Sequence, residues 1–280
     1  MKISILTATY NREDCLKNLY KSIIENIASS NLDIEWIVID DGSTDNTKNE
    51  IESYIKDNKI VIKYIYQNHL GKMSAINNGT NLITGDLVVD CDSDDYFSSN
   101  AFEIIKKNAN LLLNNENFYA MCFLKSDTNG NISGNKFRKD GLVSTMFDLY
   151  FKDDIKGEKI LVFNTKIRKM FKHEIEKKEN FITEARMYYK MDKIYKILCI
   201  NEILEIGDYR KDGYTKNIKK LFYENPIGYY MYFKEIINEH KLTGVSIKKK
   251  LYIFKNFIFF LTLNFIKKLG FEKNTTKKST

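Results

Sequence analysis

The sequence predicts an α/β fold built on a mainly parallel sheet flanked by helices. Three observations carry that expectation. Residues 1–100 alternate short, β-prone apolar runs with segments whose apolar residues recur at helical spacing. One of the runs, Ile34 to Ile39, is almost continuously apolar, as befits a parallel strand covered on both faces. Several runs end in polar, acid-rich turns, and in open α/β sheets that edge is where ligands bind.

The elements follow in order. Ile3 to Thr9 reads as the first strand, and Leu16, Leu19, Tyr20, Ile23, Ile24 and Ile27 mark a helix after the polar Tyr10 to Asp14. The second strand, Ile34 to Ile39, closes on Asp40 to Asp45, whose Ser, Thr and Asp side chains can cap a helix carrying Ile51, Tyr54 and Ile55. Next come a strand from Val61 to Tyr66, a helix from about Lys72 to Leu82 and a strand from Leu87 to Val89. Beyond about residue 115 the alternation loosens. Phe118 to Leu124 and Ile160 to Phe163 read as strands, and Asp127 to Asn131 as a hairpin turn. From Asn180 onward helix is expected to dominate, interrupted by a strand from Ile194 to Ile200.

Composition narrows the class. With 280 residues, 43% of them hydrophobic, the chain has ample material for a real core and is not intrinsically disordered. Four cysteines, Cys15, Cys91, Cys122 and Cys199, are spread without any CxxC, and so read as reduced thiols. His69, His173 and His240 are equally scattered, which argues against a zinc site. The apolar opening, Met1 to Leu6, turns polar too soon for a signal peptide, and no run of about 18 uncharged apolar residues is present. A cytoplasmic protein is expected.

Chemistry is announced by two acidic clusters at strand ends: Asp40-Asp41 after the second strand, and Asp90-Cys91-Asp92-Ser93-Asp94-Asp95 after the fourth. Carboxylates this dense repel one another unless cations or hydrogen bonds compensate. The plain alternative is a set of caps and solvated turns. Hard oxygen ligands suit Mg²⁺ or Mn²⁺ shared with substrate phosphates. Neither a GxxxxGK[ST] loop nor a GxGxxG turn is present, which disfavours P-loop and dinucleotide enzymes.

Four blocks, in order, resemble those of family 2 glycosyltransferases: Ser4 to Arg12, Trp36 to Asp45, Asn68 to Lys72 and Asp92 to Asp95. Gly157-Glu158-Lys159, Glu179 to Glu184 and Tyr209 to Thr215 resemble, more weakly, blocks of a bacterial subgroup that builds surface polysaccharides. The resemblance implies an inverting, nucleotide-sugar-dependent enzyme of GT-A fold. It divides the chain into a nucleotide-sugar-binding half (1–115), an acceptor-binding half (116–220) and a basic helical region (221–280). One departure is Ala8, where the family usually has proline.

Carried over residue by residue, the resemblance implies that Ala8, Thr9 and Tyr10 line the nucleotide base and that Asp41 accepts the uracil N3–H, so that the donor is a UDP-sugar. Asp92, Ser93 and Asp94 match the DxD motif, Asp92 and Asp94 holding Mn²⁺ or Mg²⁺. Lys72 either approaches the nucleotide or its diphosphate, or is a solvated lysine at a helix start. Inverting transfer needs a base for the acceptor hydroxyl. The subgroup block implies Glu184, at the start of the helical stretch Ala185 to Met191, with Glu179 and then Asp95 as alternatives. A glutamate favoured by the helix dipole is the plainer reading of Glu184. Arg210 and Lys211 either close over the diphosphate or solvate a turn. Tyr188 and Tyr189 read as packing residues, and His69 and His173 as surface or satisfied core residues.

The tail from Ser246 to Lys268 is apolar, aromatic and bracketed by lysines. It is too polar to span a bilayer comfortably and too apolar to stand free in water. Lying on an anionic inner-membrane surface satisfies both, with docking on the catalytic domain or a homodimer as alternatives. The net charge of +7 gathers around these apolar residues and no nucleic-acid-binding motif is present, so nucleic acid is not an expected partner. The expected activity is transfer of a hexosyl or N-acetylhexosaminyl group to a glycan or lipid-linked glycan. The rivals are a sugar nucleotidyltransferase, which wants a glycine-rich basic loop where Tyr10-Asn11-Arg12-Glu13 stands, and an inactive glycan-binding scaffold.

Overall fold

The computed structural model describes residues 1–176, 179, 181–208 and 218–276, side chains at 218, 219 and 270–276 excepted. It begins with β1 (Lys2–Thr9), α1 (Glu13–Ser30), β2 (Asp33–Asp40), α2 (Thr47–Asp57), β3 (Val61–Tyr66), α3 (Lys72–Thr80) and β4 (Leu87–Asp90). These match the expected elements closely because their signals are local. Leu16, Leu19, Tyr20 and Ile23 form the buried face of α1, and α1 ends at Asn31 in the left-handed region, a conformation asparagine tolerates. β1 pairs in parallel with β2 and β4, and β2 with β3. Burial on both faces explains why β2 has no polar alternation: Ile34 to Asp41 are all buried.

The chain continues through β5 (Tyr96–Phe97), α4 (Ala101–Leu113), β6 (Phe118–Ser126), β7 (Leu142–Ser144), α5 (Met146–Phe151), β8 (Lys159–Asn164), α6 (Thr165–Arg168), α7 (Ala185–Asp192) and β9 (Lys196–Ile206). It closes with α8 (Ile218–Glu224), α9 (Pro226–Glu239) and α10 (Ile247–Thr276). One sheet of order β3-β2-β1-β4-β8-β6-β9-β5 results, with β7 paired to β9. Parallel pairing is confined to β1–β4 and to β6 with β9; the β4/β8, β6/β8, β5/β9 and β7/β9 pairs are antiparallel. The antiparallel pairs of the second half join strands that stand far apart in the chain, with other elements between them.

The strand expected at Ile194–Ile200 instead starts at Lys196 and runs to Ile206. Ile194 is 67% exposed and lies in the turn that leaves α7, its amide bonded to Met191 O. The polar Asn201, Glu202 and Glu205 hid the strand's continuation. Asn201 is tied by its amide to Phe137 N and O, and Glu205 pairs opposite Phe97. The hairpin turn at Asp127–Asn131 is present, with the Asp127 carboxylate accepting from Asn129 N and Asn131 N.

The chain forms two compact units, the first of residues 1–173 and 187–208, the second of 174–186 and 209–280. The core of the first unit is an aromatic stack on β2. Tyr20 and Tyr54 lie face to face at 4.1 Å, and Trp36, fully buried beside them, donates Nε1–H to Thr7 Oγ1 at 3.0 Å. In the second unit, Arg186 is 3% exposed and grips three carboxylates: Glu235 through Nε and Nη2, Glu176 through Nη1 and Glu174 through Nη2. Phe260 stacks there on Tyr229 and Phe233.

Candidate active site

The strand order reverses about β1. The chain steps outward from β1 to β2 and β3, then returns to place β4 on the other side. Such a switch point leaves a crevice beyond the carboxyl ends of the strands, and every loop singled out in the first unit opens there. Thr9 pairs with Asp40, Asp40 with Tyr66, and Leu6 with Asp90, so the four strands end at neighbouring levels.

The loops after β1 and β2 fasten to each other. Asn11, at φ 50°, accepts Thr44 N on Oδ1 (2.8 Å) and donates its own amide to Ser43 Oγ (2.9 Å). Glu13 Oε2 accepts Asn46 N (2.6 Å), while Asp45 accepts Glu13 N and Thr47 N. The Tyr10–Arg12 and Asp41–Asp45 motifs are therefore two halves of one hydrogen-bonded structure. Asp40 turns the second loop: it is fully buried and accepts from Ser43 N and from Tyr64 OH (2.7 Å).

Asp41 organises the third loop. Its Oδ1 accepts from Gln67 Nε2 (2.6 Å) and Leu70 N (2.8 Å); its Oδ2 accepts from Gly71 N (2.9 Å) and lies 3.1 Å from His69 Nδ1. Gly42 needs to be glycine, with φ at +92° and His69 N only 3.1 Å from where a Cβ would stand. The His69 ring stacks on Tyr10 at 4.2 Å, and Tyr10 is 42% exposed. Together they present an aromatic platform to solvent. Ala8 is half-buried, and Thr9 is buried with its Oγ1 unpartnered among the described residues.

The acidic loop after β4 faces this group. Carboxylate oxygens of Asp92, Asp94 and Asp95 lie within 4.8 Å of one another, Asp92 and Asp94 half-buried and Asp95 buried. This all-carboxylate donor set fits Mg²⁺ or Mn²⁺. Lys72, first residue of α3, places Nζ 2.6 Å from Asp92 Oδ1, so it is neither remote from the loop nor simply solvated. Ser93 is buried between the acids.

Behind the loop lies a second charged layer. Lys125 Nζ on β6 bridges Asp95 Oδ2 and Glu158 Oε2, each at 2.7 Å. Burial, joined by the nearby Asp92 and Asp94 charges, pushes the Asp95 carboxyl up to about 7 despite Lys125. Burial and Asp95 likewise raise Glu205, which is 1% exposed. Asp95 is thus an internal support of the loop. On the other flank, fully buried Arg168 pairs with Asp90 (3.3 Å) and lies over the Phe163 ring. His173 exchanges backbone hydrogen bonds with the Asn77 side chain; burial, with Arg168 and Lys72 nearby, lowers its imidazole to about 3, so it is neutral.

The base candidates separate. Glu179 is 7% exposed and accepts Ile227 N (2.7 Å) and Gly228 N (2.6 Å), so both its oxygens serve the amino end of α9. Burial raises its carboxyl against those two amides. Glu184 is half-buried in the turn that enters α7, two residues before the anchored Arg186. Tyr189 packs edge-on against Phe147, and Tyr188 lies against Phe163, as packing residues do. Arg210, Lys211 and the rest of the Tyr209–Thr215 block, and Asn180, lie outside the described residues. Sequence reasoning took His69 for a surface or satisfied core residue and passed over Gln67, Lys125, Glu205 and Arg168. For His69 and Gln67 the available signal was their place just before the Gly71-Lys72 pair; for the others there was none, because their partners are distant in sequence.

The model of the family described as "Glycosyl transferase family 2" matches residues 4–192, which contain all four loops. The chain belongs to glycosyltransferase family 2. Among its relatives is the Campylobacter jejuni GalNAc(5)-diNAcBac-PP-undecaprenol beta-1,3-glucosyltransferase, 28% identical over 260 residues, covering 89% of this chain and 78% of that one. The glycosyltransferase is also similar in structure to Staphylococcus aureus TarS. The TarS 1–349 complex with UDP-GlcNAc superposes with a TM-score of 0.61 at 19% identity, over 95% of this chain and 73% of that one. Against a longer TarS chain the match covers 92% of this chain but 43% of TarS. A Pyrobaculum calidifontis mannosyltransferase in complex with GDP-Man and Mn²⁺ matches with a TM-score of 0.57 at 15% identity, over 85% of this chain and 65% of that one. These structural likenesses establish the GT-A architecture of the glycosyltransferase.

Proposed function

We propose that this glycosyltransferase moves one hexosyl or N-acetylhexosaminyl group, with inversion, from a UDP-sugar to a hydroxyl of a lipid-linked or growing surface glycan on the cytoplasmic side. The observation that carries the reading is the convergence of Tyr10, Asp41, Lys72, Asp92 and Asp94 from four separate loops on one sheet edge. Ala8, Thr9 and Tyr10 would border the base, with the Tyr10–His69 stack offering it a ring face. Asp41 Oδ1 already accepts two donors, whereas Oδ2 accepts one hydrogen bond, from Gly71 N, and keeps acceptor capacity that a uracil N3–H could use.

Asp92 and Asp94 would hold the cation, with Ser93 between them. When bound, the cation supplies positive charge to the departing diphosphate. Lys72 already keeps an ammonium beside Asp92 and would follow the diphosphate as it enters. Glu184 would take the acceptor hydroxyl proton as its oxygen bonds to the anomeric carbon, while the bond from that carbon to the diphosphate breaks and UDP leaves. The engagement of Glu179 with α9 supports Glu184 in that role. The lipid-linked acceptor is supported by the similarity to the Campylobacter enzyme, and the UDP-sugar by that to TarS.

The test is thermal stabilisation by UDP, GDP, CDP and dTDP, each with and without Mn²⁺, on wild type and Asp94→Ala. A ligand at 100 times its Kd adds about 2.7 kcal/mol. Stabilisation by UDP alone among the four, requiring both Mn²⁺ and Asp94, is the expected result. A preference for another nucleotide would reject the donor; no shift with any of them would favour the scaffold.

A further inference from the structure

Helix α10 is docked by one face only. Ile253 and Phe260 are fully buried, Phe257 stacks on Tyr230 at 5.5 Å, and Asn264 Nδ2 donates to Pro226 O at 2.9 Å. At about 100° per residue Ile247, Leu251, Phe254, Ile258, Phe265 and Leu269 form one stripe centred about 120° round from the docked face. All six are exposed, Ile258 at 60% and Phe265 at 63%. The stripe is about 33 Å long at 1.5 Å per residue. Exposed aliphatic and aromatic residues scattered singly need no explanation, but a continuous stripe of this length does.

Charge says what covers it. On the same helical projection, Lys248 and Lys255 flank the stripe on one side and Lys250 and Lys268 on the other. No Asp or Glu occurs between Ile247 and Leu269. An apolar stripe with cationic rims on both sides matches a plane that is apolar below and anionic at its surface, where lysine stems extend along the apolar layer and their heads meet phosphates. The helix does not cross that plane: among the described residues, no helix is long and apolar enough to span a membrane.

We propose that the outward face of α10 binds an anionic lipid bilayer surface, the helix lying in the interface. The inference rests on α10 and its packing on α9, and it stands whatever sugar the enzyme transfers.

The experiment is flotation of the full chain with vesicles of phosphatidylcholine alone and with about 30% phosphatidylglycerol, at low and high salt. Wild type is expected to float with the anionic vesicles, at least roughly tenfold more strongly than with neutral ones, and less at high salt. The variant Phe254→Ser, Ile258→Ser, Phe265→Ser is expected to lose flotation with its melting temperature unchanged, because these side chains face solvent. The variant Lys250→Gln, Lys255→Gln, Lys268→Gln is expected to lose the preference for anionic vesicles. Absence of binding to either vesicle, or binding untouched by both variants, would overturn the proposal. So would a wild-type dimer in analytical ultracentrifugation that the serine variant splits, without vesicle binding, since the stripe would then be a self-interface.

Discussion

Glu35 is the residue whose replacement should reveal most about how the sheet positions its loops. It lies on β2 with its side chain fully buried. Its Oε1 accepts from Ser4 Oγ on β1 and from Thr84 N; its Oε2 accepts from Thr84 Oγ1 (2.7 Å) and Lys63 Nζ on β3 (2.9 Å), with Lys2 Nζ at 3.1 Å. One carboxylate thus ties three parallel strands to the turn that feeds β4. Burial alone would raise this carboxyl, but the hydrogen bonds from Ser4, Lys63 and Thr84 outweigh it and draw the value from 4.5 down to about 2. That difference corresponds to roughly 3 kcal/mol of stability. Because the folded value is depressed, the contribution is complete above about pH 4.5 and is lost as pH falls toward about 2. Glu35→Gln keeps the shape, removes the charge and turns an amide N–H toward existing donors. It is expected to lose about 3 kcal/mol at neutral pH, a melting decrease of roughly 6–12 °C. By about pH 3.5 the gap to wild type should narrow by about 1.4 kcal/mol. Urea titrations followed by far-UV circular dichroism at several pH values measure both. A gap below about 1 kcal/mol at neutral pH, or one that stays constant on acidification, would refute the reasoning.

Further outcomes follow from the site. Lys72→Met removes the ammonium beside half-exposed Asp92, so Mn²⁺ should bind the nucleotide-free protein up to about fivefold more tightly, while UDP binding in the presence of Mn²⁺ weakens; calorimetry reads both, and unchanged metal affinity would count against the pairing. Glu184→Gln should lower kcat by roughly 10²–10⁴ and leave UDP-dependent thermal stabilisation intact; loss of that stabilisation would assign Glu184 to donor binding instead. Arg186→Met strands Glu174, Glu176 and Glu235 around an apolar side chain, and thermal denaturation should show a loss of about 3–5 kcal/mol; an unaltered transition would mean that the cluster contributes nothing net.

Much of the first unit was legible in the sequence, for identifiable reasons. β3 runs from Val61 to Tyr66 as expected, because an apolar run between polar turns needs no distant partner to be recognised. α3 begins at Lys72 as expected and ends at Thr80, two residues short of the expected Leu82. The extent of the strand from Lys196 to Ile206 escapes the sequence because its polar residues are placed by distant chain, Glu205 in register with Phe97 on β5 and Asn201 bonded to the backbone of Phe137 in the loop before β7. Parallel pairing could be extrapolated from the helical crossovers of residues 1–90 but not beyond them, where the antiparallel partners of β8 stand far from it in the sequence.

The loop motifs show where that line falls. Which residue types stand at the ends of β1, β2 and β4 is a property of the sequence: strand periodicity ends where polar turns begin, and acids and glycines declare themselves there. What each of those residues touches depended on tertiary structure. Asp41 gathers the third loop, Asp95 rests on Lys125 from β6, and Glu179, the alternative to Glu184 in the sequence, is engaged by the amino end of α9. The reason is physical. A hydrophobic period is set by neighbours along the chain, whereas the strength and role of a carboxylate are set by the donors and burial that folding brings to it from far away.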